Sequence, residues 1–404
     1  MRAINWLILC GVLAIPIVLG LLWLDHNRET TLPMPTGQFA VGRSLFDWVD
    51  ERTVDALAPA AQMKRELLAW VWYPAVGGAD AAVDEYVPAL VRAPVARPNG
   101  PLILRPLAWL FDLTMRDLSK VHAHSLRGAD VSPQQQSYPV LLMRAGGTRE
   151  VMAYSTLAED LASHGYVVVG LDAPYRTWRV VFPDGRVIER SPENTLDRFE
   201  GEELISVATK LTNAWSGDMT FALDQLDRLN VADPSGRFVG RLDMQRVGAF
   251  GHSIGGAQAL QFCHDDSRCR ACIDVDGIPF GAASTEGVAQ PVMFLLSDHR
   301  GESGEEGRQA EASFGSLFKR LPSDRWTEVM IRGSNHYMFS DDAVLRSPLL
   351  MRGLRAASVV RIDGSRQLAV AGHFIRSFLD VHLKGARDSA LKSLTGYPEV
   401  EYLH

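Results

Sequence analysis

Short apolar runs alternating with helical stretches limit what this chain can fold into more than any other feature. Val140–Met143, Val167–Leu171, Val247–Phe250, Cys272–Val275, Val292–Leu296 and Trp326–Ile331 are such runs. Helical patterns over Glu150–His164, Leu204–Leu229, Gly255–His264 and Gln367–Leu383 separate or follow them. Gly165 stands where a glycine commonly ends a helix. A strand covered on both faces reads as an unbroken apolar run rather than an alternation. The pattern therefore predicts an α/β fold with a mostly parallel central sheet and helices on both faces. Leu67–Tyr73, stopped by Pro74, predicts an earlier strand of the same sheet. Such sheets carry their functional loops at the carboxyl ends of the strands.

At about 150 residues per domain, 404 residues suggest two or three domains. The distribution of motifs argues for fewer. We expect a segment over residues 1–30 and one catalytic domain over 31–404, with an irregular insertion at about 75–137. Within that insertion, the apolar patch Leu102–Leu118 fits either a cap on the substrate side or a surface helix. Ile4–Leu24 is 21 residues long with only Asn5 polar, enough for a helix of roughly 30 Å, the thickness of a bilayer core. Arg2 precedes it and Asp25, Arg28 and Glu29 follow. We therefore expect an N-terminal transmembrane helix, with the bulk of the chain outside the cytoplasm, periplasmic or extracellular. A signal peptide cleaved on secretion is the alternative; the length and the Leu-Leu-Trp-Leu end fit it less well. The formal charge of −7 argues against a nucleic-acid partner. Four cysteines are too few for a disulfide scaffold. Cys263, Cys269 and Cys272 cluster, but their spacing matches no structural zinc pattern. A short Cys263–Cys269 disulfide and buried free thiols are both open.

After the Val247–Phe250 run comes Gly251-His252-Ser253-Ile254-Gly255, followed by the small-residue start of a helix. This G-x-S-x-G pattern sets a serine on a tight strand-to-helix turn, where flanking side chains would clash. The turn exposes the hydroxyl and aims the following backbone N–H at the reacting oxygen. A serine nucleophile needs a histidine base, and the histidine needs a carboxylate. His336, in Arg332-Gly333-Ser334-Asn335-His336 directly after the last run, is the candidate base. For the acid, Asp276 and Asp298 both end strands, and spacing does not choose between them. Asp274 lies deeper on the strand of Asp276 and reads as structural. The loop Arg144-Ala145-Gly146-Gly147-Thr148 is the candidate second half of an oxyanion hole. Trp178 and Phe182 follow a strand end and fit either an acyl pocket or packing under a hairpin.

With these residues in place, the chain resembles the platelet-activating factor acetylhydrolase family of α/β-hydrolases. The resemblance runs from about Pro35 to Leu383. Besides the elbow and the His336 loop it includes Gly37–Gly42, Trp72-Tyr73-Pro74, Asp160–Gly165, and Asp276 with Pro279-Phe280-Gly281. It implies Ser253, Asp276 and His336 as the triad and the N–H groups of Gly147 and Ile254 as oxyanion donors, leaving Asp298 as the alternative acid. It also implies a metal- and cofactor-independent hydrolase of short or modified acyl esters, phospholipids among them. The oxyanion loop departs from the family, with Ala145-Gly146 standing where a His-Gly pair is common. A broad short-chain carboxylesterase or polyester hydrolase is the alternative within enzymes. A non-catalytic, membrane-bound lipid-binding protein is the alternative outside them.

Overall fold

The computed structural model describes residues 15–78, 82–91, 105–300, 313–358 and 360–404. Its strands are β1 (Thr30–Thr31), β2 (Ala40–Val54), β3 (Lys64–Ala75), β4 (Val83–Glu85), β5 (Val121–Arg127), β6 (Tyr138–Arg144) and β7 (Val167–Asp172). They continue with β8 (Arg179–Val181), β9 (Val187–Glu189), β10 (Leu242–His252), β11 (Cys269–Val275), β12 (Val292–Leu296), β13 (Trp326–Ile331) and β14 (Val400–Tyr402). Among the described residues one sheet takes the order β1-β5-β2-β3-β7-β6-β10-β11-β12-β13-β14, with β4 on β5; β8 and β9 form a separate hairpin. From β7 through β6 to β13 every neighbouring pair is parallel. β2, β3 and β7 pair antiparallel on one side, and β14 closes the other side antiparallel to β13.

Successive side chains of a strand point to opposite faces, and the apolar runs divide accordingly. Leu141 and Met143 of β6 join Trp70, Trp72 and Val168 in a core under the helices Ser155–Ser163 and Gly364–Lys384. Val140 and Leu142 join Val71, Tyr73 and Val169 in a second core under the helices Gly201–Ala232 and Ile254–Asp265. Every residue of β6 and β7 is buried, which is why these segments read as unbroken apolar runs.

Two strands had no such signature. β2 carries Arg43, Asp47, Asp50, Glu51 and Arg52 along one long hairpin with β3. β5, Val-His-Ala-His-Ser-Leu-Arg, lies inside the stretch expected to be irregular, yet it enters the sheet beside β2. Its inward positions are Val121, Ala123 and Ser125, too small and too polar to announce a strand. In the same stretch a helix spans Arg105–Asp112. Cys263, on the helix Ile254–Asp265, and Cys269, on β11, form a disulfide with their Cα atoms 5.0 Å apart; Cys272 is a buried free thiol.

The first 14 residues, and with them most of the expected Ile4–Leu24 span, lie outside the described residues. Residues 15–26 are helical and expose Ile15, Ile17, Val18, Trp23 and Leu24. Among the described residues no helix is long and apolar enough to cross a membrane.

Candidate active site

β10 runs between β6 and β11, and its last paired residues set the position of the elbow. Gly251 lies opposite Arg144 of β6 and Asp274 of β11. Ser253 follows at φ 57°, ψ −134°, a conformation that costs a non-glycine residue on the order of 1–3 kcal/mol. Its N–H donates to the Val275 carbonyl at 2.8 Å, which holds the turn against the next strand. The flanking glycines are required by contact. A Cβ on Gly251 would stand 2.1 Å from the Gly255 carbonyl oxygen, and one on Gly255 would stand 2.6 Å from that of Ala145.

His336 begins a single 3-10 turn, His336–Phe339, capped by the Asn335 side chain, which accepts from Tyr337 N–H. Its Nδ1 is 2.8 Å from Oδ2 of Asp276. That bond leaves Nε2 as the nitrogen that can take a proton, and Ser253 and His336 line the same cleft. Asp276 itself has φ 57° and is buried. It accepts from His336 Nδ1 and Ser297 Oγ on Oδ2, and from Ser297 N–H and His299 Nε2 on Oδ1, at 2.7–2.8 Å. Burial opposes its charge, but the hydrogen bonds from His299 and His336 outweigh that, holding the carboxyl far below the usual carboxylate range.

The other two aspartates are engaged elsewhere. Asp298 forms an ion pair with Arg300 at 2.7 and 2.8 Å and accepts the Gly333 N–H at 2.7 Å. The Arg300 bond, followed by the Gly333 N–H, keeps its carboxyl low. It therefore braces the loop that carries His336. Asp274 is fully buried, accepts the Gly277 N–H at 2.9 Å, and is pushed well above the usual value by burial.

Ala145, Gly146 and Gly147 follow β6 directly beside the elbow. Gly146 donates its N–H to the Tyr154 hydroxyl at 3.0 Å. Tyr154 is in turn 2.7 Å from Nδ1 of His252, the residue before Ser253. Burial first, then the charge of His336, depresses His252 to about 3, and burial raises Tyr154 to about 12. Both are thus neutral near pH 7. This clamp fixes the loop while Gly147, at φ 55°, turns toward the cleft. Among the described residues no protein acceptor takes the N–H of Gly147 or of Ile254.

The cleft has a volume of about 550 Å³. Its wall includes Phe111 and Met115, from the stretch that fitted either a cap or a surface helix, and Trp215 of the helix Gly201–Ala232. Phe182 is buried under the β8–β9 hairpin with the Arg186 guanidinium 4.4 Å away, and Trp178 is exposed. Neither lines the cleft. Tyr154, Ser297 and His299 escaped sequence reading. His299 is one residue past the candidate Asp298, at the same strand end as Ser297, and that placement was the available signal. Among the described residues no group of three His, Cys, Asp or Glu side chains is placed to hold a metal ion.

Comparison with known proteins adds the following. The family model for platelet-activating factor acetylhydrolase, isoform II, matches residues 199–392. A probable 1-alkyl-2-acetylglycerophosphocholine esterase of Arthroderma benhamiae is 25% identical over 394 residues, covering 92% of this chain and 93% of that protein. The platelet-activating factor acetylhydrolase of Cavia porcellus is 25% identical over 234 residues, 51% of this chain and 49% of that protein. In structure, the chain is similar to a ferulic acid esterase from Streptomyces cinnamoneus, with a TM-score of 0.73 and 25% identity, over 93% of this chain and 100% of that one. The family resemblance read from the motifs holds in these comparisons, and ester hydrolysis holds with it.

Proposed function

We propose, from this kinship with the platelet-activating factor acetylhydrolases, that the chain is a serine ester hydrolase working through Ser253, His336 and Asp276. The observation that supports this most is the 2.8 Å bond from His336 Nδ1 to Asp276, with His336 and the strained Ser253 lining one cleft. His336 Nε2 takes the Ser253 proton as Oγ attacks the ester carbonyl. The N–H groups of Gly147 and Ile254 hold the oxyanion. The protonated His336 then gives its proton to the leaving alcohol, and an acyl-enzyme remains. Water, activated by the same histidine, releases the acid. Asp276 stays ionised throughout and stabilises the imidazolium.

The substrate class follows the relatives: short or modified acyl esters, those of glycerophospholipids included. The ferulic acid esterase matched over its whole length favours a second reading, a carboxylesterase of broader range. We assign catalysis to one domain over residues 31–404, and we read the apolar N-terminal stretch as its membrane anchor, with the domain outside the cytoplasm.

A fluorophosphonate probe should label the wild-type protein and leave Ser253→Ala unlabelled. Labelling of the variant at another serine overturns the assignment. Rates on chromogenic acyl esters against short-acyl phospholipids separate the two substrate readings.

A further inference from the structure

One part of the cleft lining sets two guanidinium groups against a single carboxylate. Arg149, two residues past Gly147, holds Asp342 with Nη2 2.8 Å from Oδ1 and Nη1 3.3 Å from Oδ2. Arg346 reaches the same carboxylate with Nη2 at 3.4 Å, close to the limit of a useful bond. Two guanidinium groups therefore share one carboxylate, and all three side chains line the cleft with Ser253 and His336. The Nε of Arg346 is buried and, among the described residues, has no acceptor. A guanidinium left one donor short gains from an ionised acceptor at its remaining N–H groups.

The acidic groups nearby have partners of their own. Arg176, which also lines the cleft, pairs with Asp55 at 2.8 Å and Asp218 at 2.6 Å, and Arg65 also reaches Asp218, at 3.2 Å. Asp197 is exposed at the rim, 3.7 Å from Arg190. Asp341, next to Asp342, turns away to accept from Tyr86 and the N–H groups of Ser155 and Thr156, and burial raises it to about 7. Arg346 is held in place by backbone pairing with Met115, flanked by bonds from Arg116 N–H to Leu345 and from Ser347 N–H to Thr114. Its backbone is fixed and its guanidinium is not saturated, so it can take a further anionic acceptor.

We propose that Arg149 and Arg346 form an anion subsite, so that the preferred ester carries one oxyanionic group, a phosphate or a carboxylate, near the bond that is cut. This rests on the esterase reading above and adds a specificity to it. The anion has two possible sources, the acyl part or the alcohol part, and two pairs of substrates separate them. The acyl arm compares 4-nitrophenyl hydrogen succinate with 4-nitrophenyl butanoate. The alcohol arm compares a 1-alkyl-2-butanoylglycerol 3-phosphate with the same glycerol lacking the phosphate.

In the wild-type protein kcat/KM should favour the anionic member of one arm by about tenfold, the scale of a charge-assisted bond in a partly solvated cleft. The favoured arm identifies the source. Arg346→Gln should bring that ratio close to one, whatever happens to the neutral substrate, and Arg346→Lys should keep part of it. The ratio should also shrink in wild type between about 20 mM and about 0.5 M salt, a test that needs no variant. Absence of preference in both arms overturns the proposal, as does a preference that survives both Arg346→Gln and high salt. Loss of all hydrolysis and of probe labelling at Ser253 would instead overturn the esterase reading.

Discussion

Asp276 and Asp298 stand at the ends of adjacent strands, and the sequence offered no spacing rule to separate them. Their partners do. Asp276 is buried and shared by two imidazoles and Ser297, whereas Asp298 is tied to Arg300 and the Gly333 N–H. Asp276→Asn would present an amide to His336 Nδ1 and favour the wrong tautomer. It should lower kcat by about 10³- to 10⁴-fold with little change in KM. Asp298→Asn retains an acceptor for Gly333 and should cost less than about tenfold; a loss as deep as that of Asp276→Asn would reverse the roles. The same carboxyl sets a pH expectation. Its native value lies below that of an unfolded aspartate, about 4. Its contribution to stability is therefore complete above about pH 4 and is lost as pH falls through the native value. His252, held at about 3, stays neutral above about pH 5 and contributes nothing to the pH dependence there. His299 was invisible to sequence reasoning because its role depends on a neighbouring strand placing Asp276 within 2.8 Å of it.

The elements that were legible are those whose residues are buried on both sides. The expected Leu204–Leu229 and Gln367–Leu383 helices appear as Gly201–Ala232 and Gly364–Lys384. The expected Glu150–His164 helix begins instead as a 3-10 turn, Val151–Tyr154, before Ser155–Ser163. That turn directs Tyr154 back onto Gly146, so the irregularity braces the glycine loop that follows β6. β2 and β5 were not legible because their buried positions are interrupted by exposed polar and charged ones and so form no unbroken apolar run. The elbow itself is the element most tightly dictated by sequence. Gly251→Ala would drive a Cβ to within 2.1 Å of backbone that belongs to the first turn of the nucleophile helix. Neither side of that contact is a flexible side chain, so strand and helix must separate. We expect a loss of about 3 kcal/mol or more in denaturant unfolding, with activity falling even where the fold survives. A variant of wild-type stability and rate would show that the turn relaxes without cost.

At the scale of the molecule, the site depends on one sheet gathering loops from Ala145 to His336, and the N-terminal segment is attached near its mouth. His26 Nδ1 is 2.8 Å from the Met115 carbonyl, and Asp25 pairs with Arg116 at 2.7 Å. Met115 also lines the cleft, and Trp109, Leu110 and Phe111, on the helix just before it, are exposed. The helical residues 15–26 add Ile15, Ile17, Val18, Trp23 and Leu24 as exposed apolar side chains. A segment anchored in a bilayer would therefore hold the cleft close to the lipid surface, where esters of low solubility are concentrated. A chain beginning at Asp25 keeps the contacts to Met115 and Arg116 while lacking the apolar stretch. It should leave the membrane fraction, retain its rate on a soluble chromogenic ester within about threefold, and lose at least about tenfold on vesicle-borne esters. That estimate assumes that burying even a few of these side chains contributes several kcal/mol of membrane affinity. If the shortened chain stays with the membrane, the anchor lies elsewhere. If it leaves and vesicle activity is unchanged, the attachment beside the cleft has no part in delivering substrate.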